Sequence, residues 1–431
     1  MSHPPTATAP ATPGPGPTGR PQPPLPSPTP ATSRSLAPDL ARGLLLLLIA
    51  SANVWGYLWS DDGYHEAGGR PVGGSATDHL VDAVLTLLVD SHTKPMFAIL
   101  YGFGLATMAA RLAARGATPR TTRRVLTRRS LALLVLGLLH ATLLYGGDIL
   151  APYGAAGLLA LLLLHRSRVA LAWWFGVAYT LSLTAGAVAL LVPSDAGGGE
   201  ASAPEATGYL ASALDRLATA ATVTSLYTLT LMFVPHLVVG ILLARSGWLT
   251  HPAEHRRRLG QVALGLGAVS VAGSLPYAVA VGQVWHPGTT ALAVAELVHH
   301  VAGDLMGLAY VCAFGWFAAA WVGRGRRGPV AALAAVGERS LTCYLLQSLL
   351  FAPLLSDWGL GLGGRLSTTQ AALLAVLVWL VTAAVAVSLH RAGRRGPFES
   401  ALRRVSYGRR GAADVAARGP ATSPAPLRSG A

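Results

Sequence analysis

The chain reads as an all-α, polytopic transmembrane bundle of about ten helical spans with both termini cytoplasmic. Three observations predict this. Of its 431 residues 52% are hydrophobic and only 12% charged, with a mean hydropathy of +0.47; soluble domains carry about 25% charged residues. Apolar runs near the ~20 residues that cross a ~30 Å hydrocarbon core recur along the whole sequence. Arginines gather on one side of these runs and acids on the other, alternately, which is the pattern of positive cytoplasmic loops. The formal net charge of +14 would suggest nucleic acid in a soluble chain. Here the excess is spread over short loops and both tails, so the expected partner is the lipid bilayer and not nucleic acid.

In chain order, residues 1–38 hold 13 prolines among Thr, Ala, Ser and Gly and are expected to form a disordered cytoplasmic tail. They lack the apolar core of a cleavable signal peptide. The transmembrane region, 39–395, is expected to span at 40–59, 79–112, 124–146, 149–165, 169–192, 226–245, 259–281, 291–322, 330–355 and 369–390. The second element is interrupted by Asp90, His92, Lys94 and Pro95, which predicts an interfacial helix over 79–91 leading into a span from about 95. The next loop carries Arg111, Arg115, Arg120, Arg123, Arg124, Arg128 and Arg129. Arginines also follow the fourth, sixth, eighth and tenth spans, and the last of these groups forms a basic cytoplasmic tail, 396–431. The opposite loops carry Asp61, Asp62, Glu66, Asp78, Asp195, Glu200, Glu205, Asp215 and Asp357. Within the longest of them, 193–225, Leu210, Leu214 and Leu217 at helical spacing predict a helix lying on the outer leaflet. Cys312 and Cys343 both fall in apolar runs, which suggests neither a disulfide nor a metal site.

An ionisable side chain in hydrocarbon costs at least ~2.5–3.5 kcal/mol, so each one needs a partner or a purpose. Glu296, His299, His300 and Asp304 are the densest group. Glu296, His300 and Asp304 stand at i, i+4 and i+8, on one face of the eighth span, with His300 placed to bridge both carboxylates. A proton pathway or substrate clamp and a self-satisfied polar seam both fit; no metal is expected. His140 lies two turns inside the third span, where no cap explains it and an imidazole suits a general base. Asp148 follows Gly146-Gly147 and opens an apolar helix, where N-capping alone explains it. His236, after Pro235, reads as part of a kinked core helix. Asn53 suits helix–helix bonding, and Tyr64-His65-Glu66 lies on an outer loop. Asp39 and Arg42 at i, i+3 are a headgroup anchor or a phosphate site. No Walker loop is present, which excludes a pump of the P-loop type.

Several stretches resemble the YeiB-like family of bacterial multi-pass membrane proteins. They are Lys94-Pro95-Met96-Phe97 with Tyr101-Gly102-Phe103-Gly104; Arg128-Arg129 with Gly137-Leu138-Leu139-His140 and Gly147-Asp148-Ile149-Leu150; Leu341 to Ser348; and Gly396-Pro397-Phe398-Glu399 with Arg403. The resemblance runs from about 39 to 408. Cys343 departs from it, standing where the family has Asn, as does Glu338 before Arg339, so no arginine role is carried over there. The first span, with Asp39-x-x-Arg42-Gly43, is similar to that of membrane acyltransferases that take acyl groups from cytoplasmic CoA. This likeness implies Arg42 at the CoA phosphates, acyl-CoA as co-substrate with no bound cofactor, and Asn53 with His65 or His140, beside Asp148, at the acyl transfer. Lys94 or an Asn would stabilise the oxyanion. The expected architecture is an arginine-lined mouth joined by a polar tunnel to His140 and the eighth span. A small-solute transporter, proton-coupled through the Glu296–Asp304 stripe with His299 and Lys94, is the alternative.

Overall fold

In the computed structural model, residues 36–191, 208–321 and 327–416 are described. They form fourteen α-helices: α1 Leu36–Asn53, α2 Ala76–Leu88, α3 Thr93–Ala114, α4 Pro119–Leu143, α5 Leu150–Leu163, α6 Arg168–Leu191, α7 Tyr209–Leu229, α8 Val234–Ser246, α9 Arg256–Val281, α10 Thr289–Ala320, α11 Gly328–Glu338, α12 Ser340–Leu355, α13 Thr368–Arg391 and α14 Pro397–Ala416. The all-α, polytopic reading holds. The proline-rich tail up to 35 and the Gly/Ser/Pro-rich part of the long loop lie outside the described residues.

Seven of the described helical spans are long and apolar enough to cross a membrane, or eight if the bent pair α7–α8 counts as one. The ten expected spans therefore divide differently. At 1.5 Å per residue, α5 with its 14 residues covers only ~21 Å. The span expected at 330–355 is broken at Glu338–Arg339 into α11 and α12. The one expected at 226–245 begins inside α7, which meets α8 at 64°. The interruption at 89–92 is present as a break between α2 and α3, with Ser91 held at φ 60°, a conformation L-residues adopt rarely. The tail expected from 396 onward contains a docked helix, α14.

Helices α6 and α13 turn large apolar side chains outward, Trp173 at 72% and Leu373 at 66% exposure among them. That is how a lipid-facing helix looks without its lipid. The interior is built on close backbone approaches. A Cβ on Gly337 of α11 would strike the Asp39 carbonyl of α1, and one on Gly137 of α4 would strike the Ala151 amide of α5. Small residues at such crossings let helices meet without side chains between them. The α2–α3 break seats on α10 in the same way. Gly303 faces the Ser91 backbone, and Gly307 faces Pro95 and the Met96 amide.

Candidate functional site

Helices α1, α3, α4, α5, α11, α12 and α14 enclose a cavity of about 850 Å³. One end is basic: Arg42 comes from α1, Arg111 and Arg115 from the end of α3 and its cap, Arg129 from α4, and Arg394, Arg395 and Arg403 from the chain's last quarter. Arg42 lies 3.9 Å from Asp39 and passes over Gly104 of α3, where a Cβ would come within 3.3 Å of its guanidinium. Burial pushes the Tyr407 hydroxyl at this end up from its ordinary pKa, opposed by the charges of Arg129 and Arg115. Deeper in, the wall is apolar: Leu45, Leu46, Ile49, Phe97, Leu100 and Leu133. Along α3 the lining runs from Arg115 to Phe97, about 27 Å of helix axis.

The deep end stops against Ile149, Leu150, Tyr153 and Tyr344. Immediately behind Tyr344 lies the pair that sequence spacing had brought only near each other. His140 Nδ1 sits 2.7 Å from Asp148 Oδ1, with the two side chains 1% and 0% exposed. Asp148 Oδ2 accepts the Ala151 amide at 2.8 Å, so the expected cap forms and the carboxylate also serves the histidine. The Tyr344 hydroxyl donates to Asp148 Oδ1 at 3.3 Å and accepts the Ile149 amide at 3.4 Å. Its ring centre is 5.1 Å from that of His140. With Nδ1–H donated to the carboxylate, Nε2 carries the lone pair; it is buried and has no hydrogen-bond partner among the described residues.

The remaining expected site residues do not join this cavity. No part of α10 lines it, so the tunnel from Arg42 to the eighth span is absent among the described residues. The reason is packing: α3 stands between them, lining the cavity with one face and seating on Gly303 and Gly307 of α10 with the other. Nor does His300 bridge two carboxylates. Its Nδ1 turns back to the Glu296 carbonyl at 2.9 Å, while Asp304 takes His236 Nε2 at 2.8 Å, a pairing between α8 and α10 that helix spacing could not reveal. His299 is buried beside His92, ring centres 5.6 Å apart, and stacks on Tyr277. Neither ring nitrogen of His92 or His299 has a hydrogen-bond partner among the described residues. Lys94 Nζ reaches the Tyr227 hydroxyl at 3.3 Å, and its carbonyl accepts the hydroxyl of Tyr153, a residue of the cavity wall, at 2.6 Å. Asn53 is half-buried at the far end of α1. His65 packs edge-on to His79 at 6.2 Å near the acid-rich end. There Arg70 binds Asp90 at 2.7 Å and Asp82 at 3.2 Å and covers Trp55. Tyr344 and Arg403 were the residues sequence reasoning left without a role; both lie in the quoted motifs, but nothing in their spacing marks them as cavity wall.

Residues 243–409 match the model of a family described as "Protein of unknown function (DUF418)". The chain is 28% identical over 335 residues to the "Uncharacterized protein YeiB" of Escherichia coli (strain K12), covering 74% of this chain and 82% of that protein. It is 23% identical over 363 residues to the "Uncharacterized protein YxaH" of Bacillus subtilis (strain 168), covering 77% and 83%. The sequence motifs and these similarities agree: the chain is similar to YeiB and YxaH over most of its length, and its described helices include several long and apolar enough to cross a membrane.

Proposed function

We propose that this is an integral membrane enzyme of acyl transfer. It accepts an acyl group from a phosphate-bearing donor at the basic mouth and passes it to an acceptor at or beyond the membrane. The observation that carries this reading is the closed Asp148–His140 pair, one side chain behind the deep wall of an arginine-mouthed, apolar-walled cavity. Concave sites with a few convergent polar groups are the usual form of small-molecule sites, and planar guanidinium groups suit phosphate. By the positive-inside rule the basic mouth and both termini face the cytoplasm of a bacterial inner membrane.

In this reading Asp148 holds the imidazole in the tautomer with Nε2 free. As the acceptor's hydroxyl or amine attacks the donor's thioester carbonyl, Nε2 takes its proton. The new acyl bond forms, the carbon–sulfur bond breaks, and the proton passes to the departing thiolate. Tyr344 must turn aside for His140 to meet the donor; the two hydrogen bonds it gives up, at 3.3 and 3.4 Å, are long and therefore weak.

Acyl-CoA hydrolysis and transfer by the purified protein test the proposal. Asp148→Asn should lose turnover while retaining donor binding, His140→Ala should lose turnover when assayed as folded protein, and His300→Ala should keep both. Equal turnover in all three would remove the dyad from the reaction.

A further inference from the structure

The three carboxylates that line the cavity are all engaged elsewhere. Asp39 lies beside Arg42, and Glu338 binds Arg339 at 3.4 Å and faces His390 at 3.6 Å. Glu399 accepts the Leu341 and Thr342 amides at 2.8 and 3.0 Å and the Thr342 hydroxyl. Glu399 thereby pins the first turn of α14 to the start of α12. One turn on, Leu402, Arg403, Ser406 and Tyr407 turn the same face to the cavity, while Arg404 and Val405 point away and are exposed. The Ser406 hydroxyl is committed to the Leu402 carbonyl at 2.7 Å. Arg403 differs: its Nη2 is shielded from solvent and has no hydrogen-bond partner among the described residues. A guanidinium nitrogen buried without an acceptor is unfavourable, and a phosphate oxygen supplies the missing acceptor with charge.

We infer that Arg403, presented by α14, is a phosphate-binding residue of the cavity, so that the C-terminal helix forms one wall of an anion site whose ligand carries an apolar chain down the shaft. The inference rests on the acyl-transfer reading only for naming the phosphate as the donor's. The same chemistry could come from a nucleotide-type head in solution or from an anionic lipid headgroup, and the experiment separates them.

The test is calorimetric titration of the full chain in neutral-lipid nanodiscs with adenosine 3′,5′-bisphosphate, repeated in nanodiscs containing phosphatidylglycerol. Wild type should bind saturably. Arg403→Gln should weaken binding at least tenfold, or ~1.4 kcal/mol, with an unchanged melting temperature in the absence of ligand. Arg403→Lys should weaken it less, because it keeps the charge and loses the fork. Arg404→Gln on the exposed face should bind like wild type. Competition by phosphatidylglycerol that Arg403→Gln abolishes supports the site and assigns the phosphate to lipid. No saturable binding in either nanodisc, or equal affinity of the Arg403 and Arg404 variants, overturns the inference. Acyl-transfer turnover in Asp148→Asn reads out the other proposal separately: phosphate binding can survive its failure, and the reverse.

Discussion

His140→Leu should be among the most damaging single changes in the bundle, and the structure says by how much. Asp148 is fully buried, and its Oδ1 relies on His140 at 2.7 Å and on the Tyr344 hydroxyl at 3.3 Å. Leucine fills much of the ring's volume but strips Oδ1 of its short partner and leaves a weaker one. Removing one member of a buried pair costs roughly 3–5 kcal/mol, chiefly because a buried charge is left uncompensated. Asp148→Asn behaves differently. The amide oxygen still accepts the Ala151 amide, and its NH2 faces Nδ1, which must now accept. The fold should lose about 1 kcal/mol, but the proton moves to Nε2 and the base is gone, an effect on the order of 10⁴ in turnover where the same tautomer change occurs in an Asp–His pair. The double variant His140→Leu/Asp148→Leu leaves no stranded carboxylate and should be more stable than His140→Leu alone. Melting curves in detergent rank the four proteins, and turnover is measured on those that fold. A His140→Leu protein melting with wild type, or one no less stable than the double variant, would refute the pairing argument.

Other outcomes follow from the same contacts. His299→Leu removes an imidazole whose nitrogens have no partner among the described residues, so it should destabilise clearly less than His140→Leu in the same melting assay. Gly137→Val places a side chain against the Ala151 amide and the Asp148 carboxylate; backbone there cannot yield, and a loss of at least 1–3 kcal/mol should show as poor yield of folded protein. Glu399→Gln weakens the capping of α12 and the anchoring of α14 by about 1–2 kcal/mol, read as faster limited proteolysis after residue 395. A reporter joined after Arg410 should register in the cytoplasm; a periplasmic signal there would invert the assigned orientation.

The class of this protein was legible because it depends on composition along the chain. Lipid excludes charge from apolar runs of helical length, and loop arginines mark one side of each run, so neither property needs a contact map. The capping role of Asp148 was equally local, since a cap acts on an amide three residues on. The stripe on α10 stays apart from the cavity for an opposite reason. Spacing of i, i+4 and i+8 puts Glu296, His300 and Asp304 on one face, but it does not say which helix that face meets. In the fold Asp304 meets His236 of α8, some seventy positions earlier in the chain, and α3 intervenes before the cavity. The cavity itself joins Arg42, Arg129, Tyr344 and Arg403 from four separate helices, and Tyr344 gains its place only because α12 starts after a break that α14 caps. Membership of the bundle was written in each segment's own chemistry. Which segments share a cavity was decided by glycine-mediated crossings such as Gly137 on Ala151 and Gly303 on Ser91, and close approach between distant backbones has no local signature.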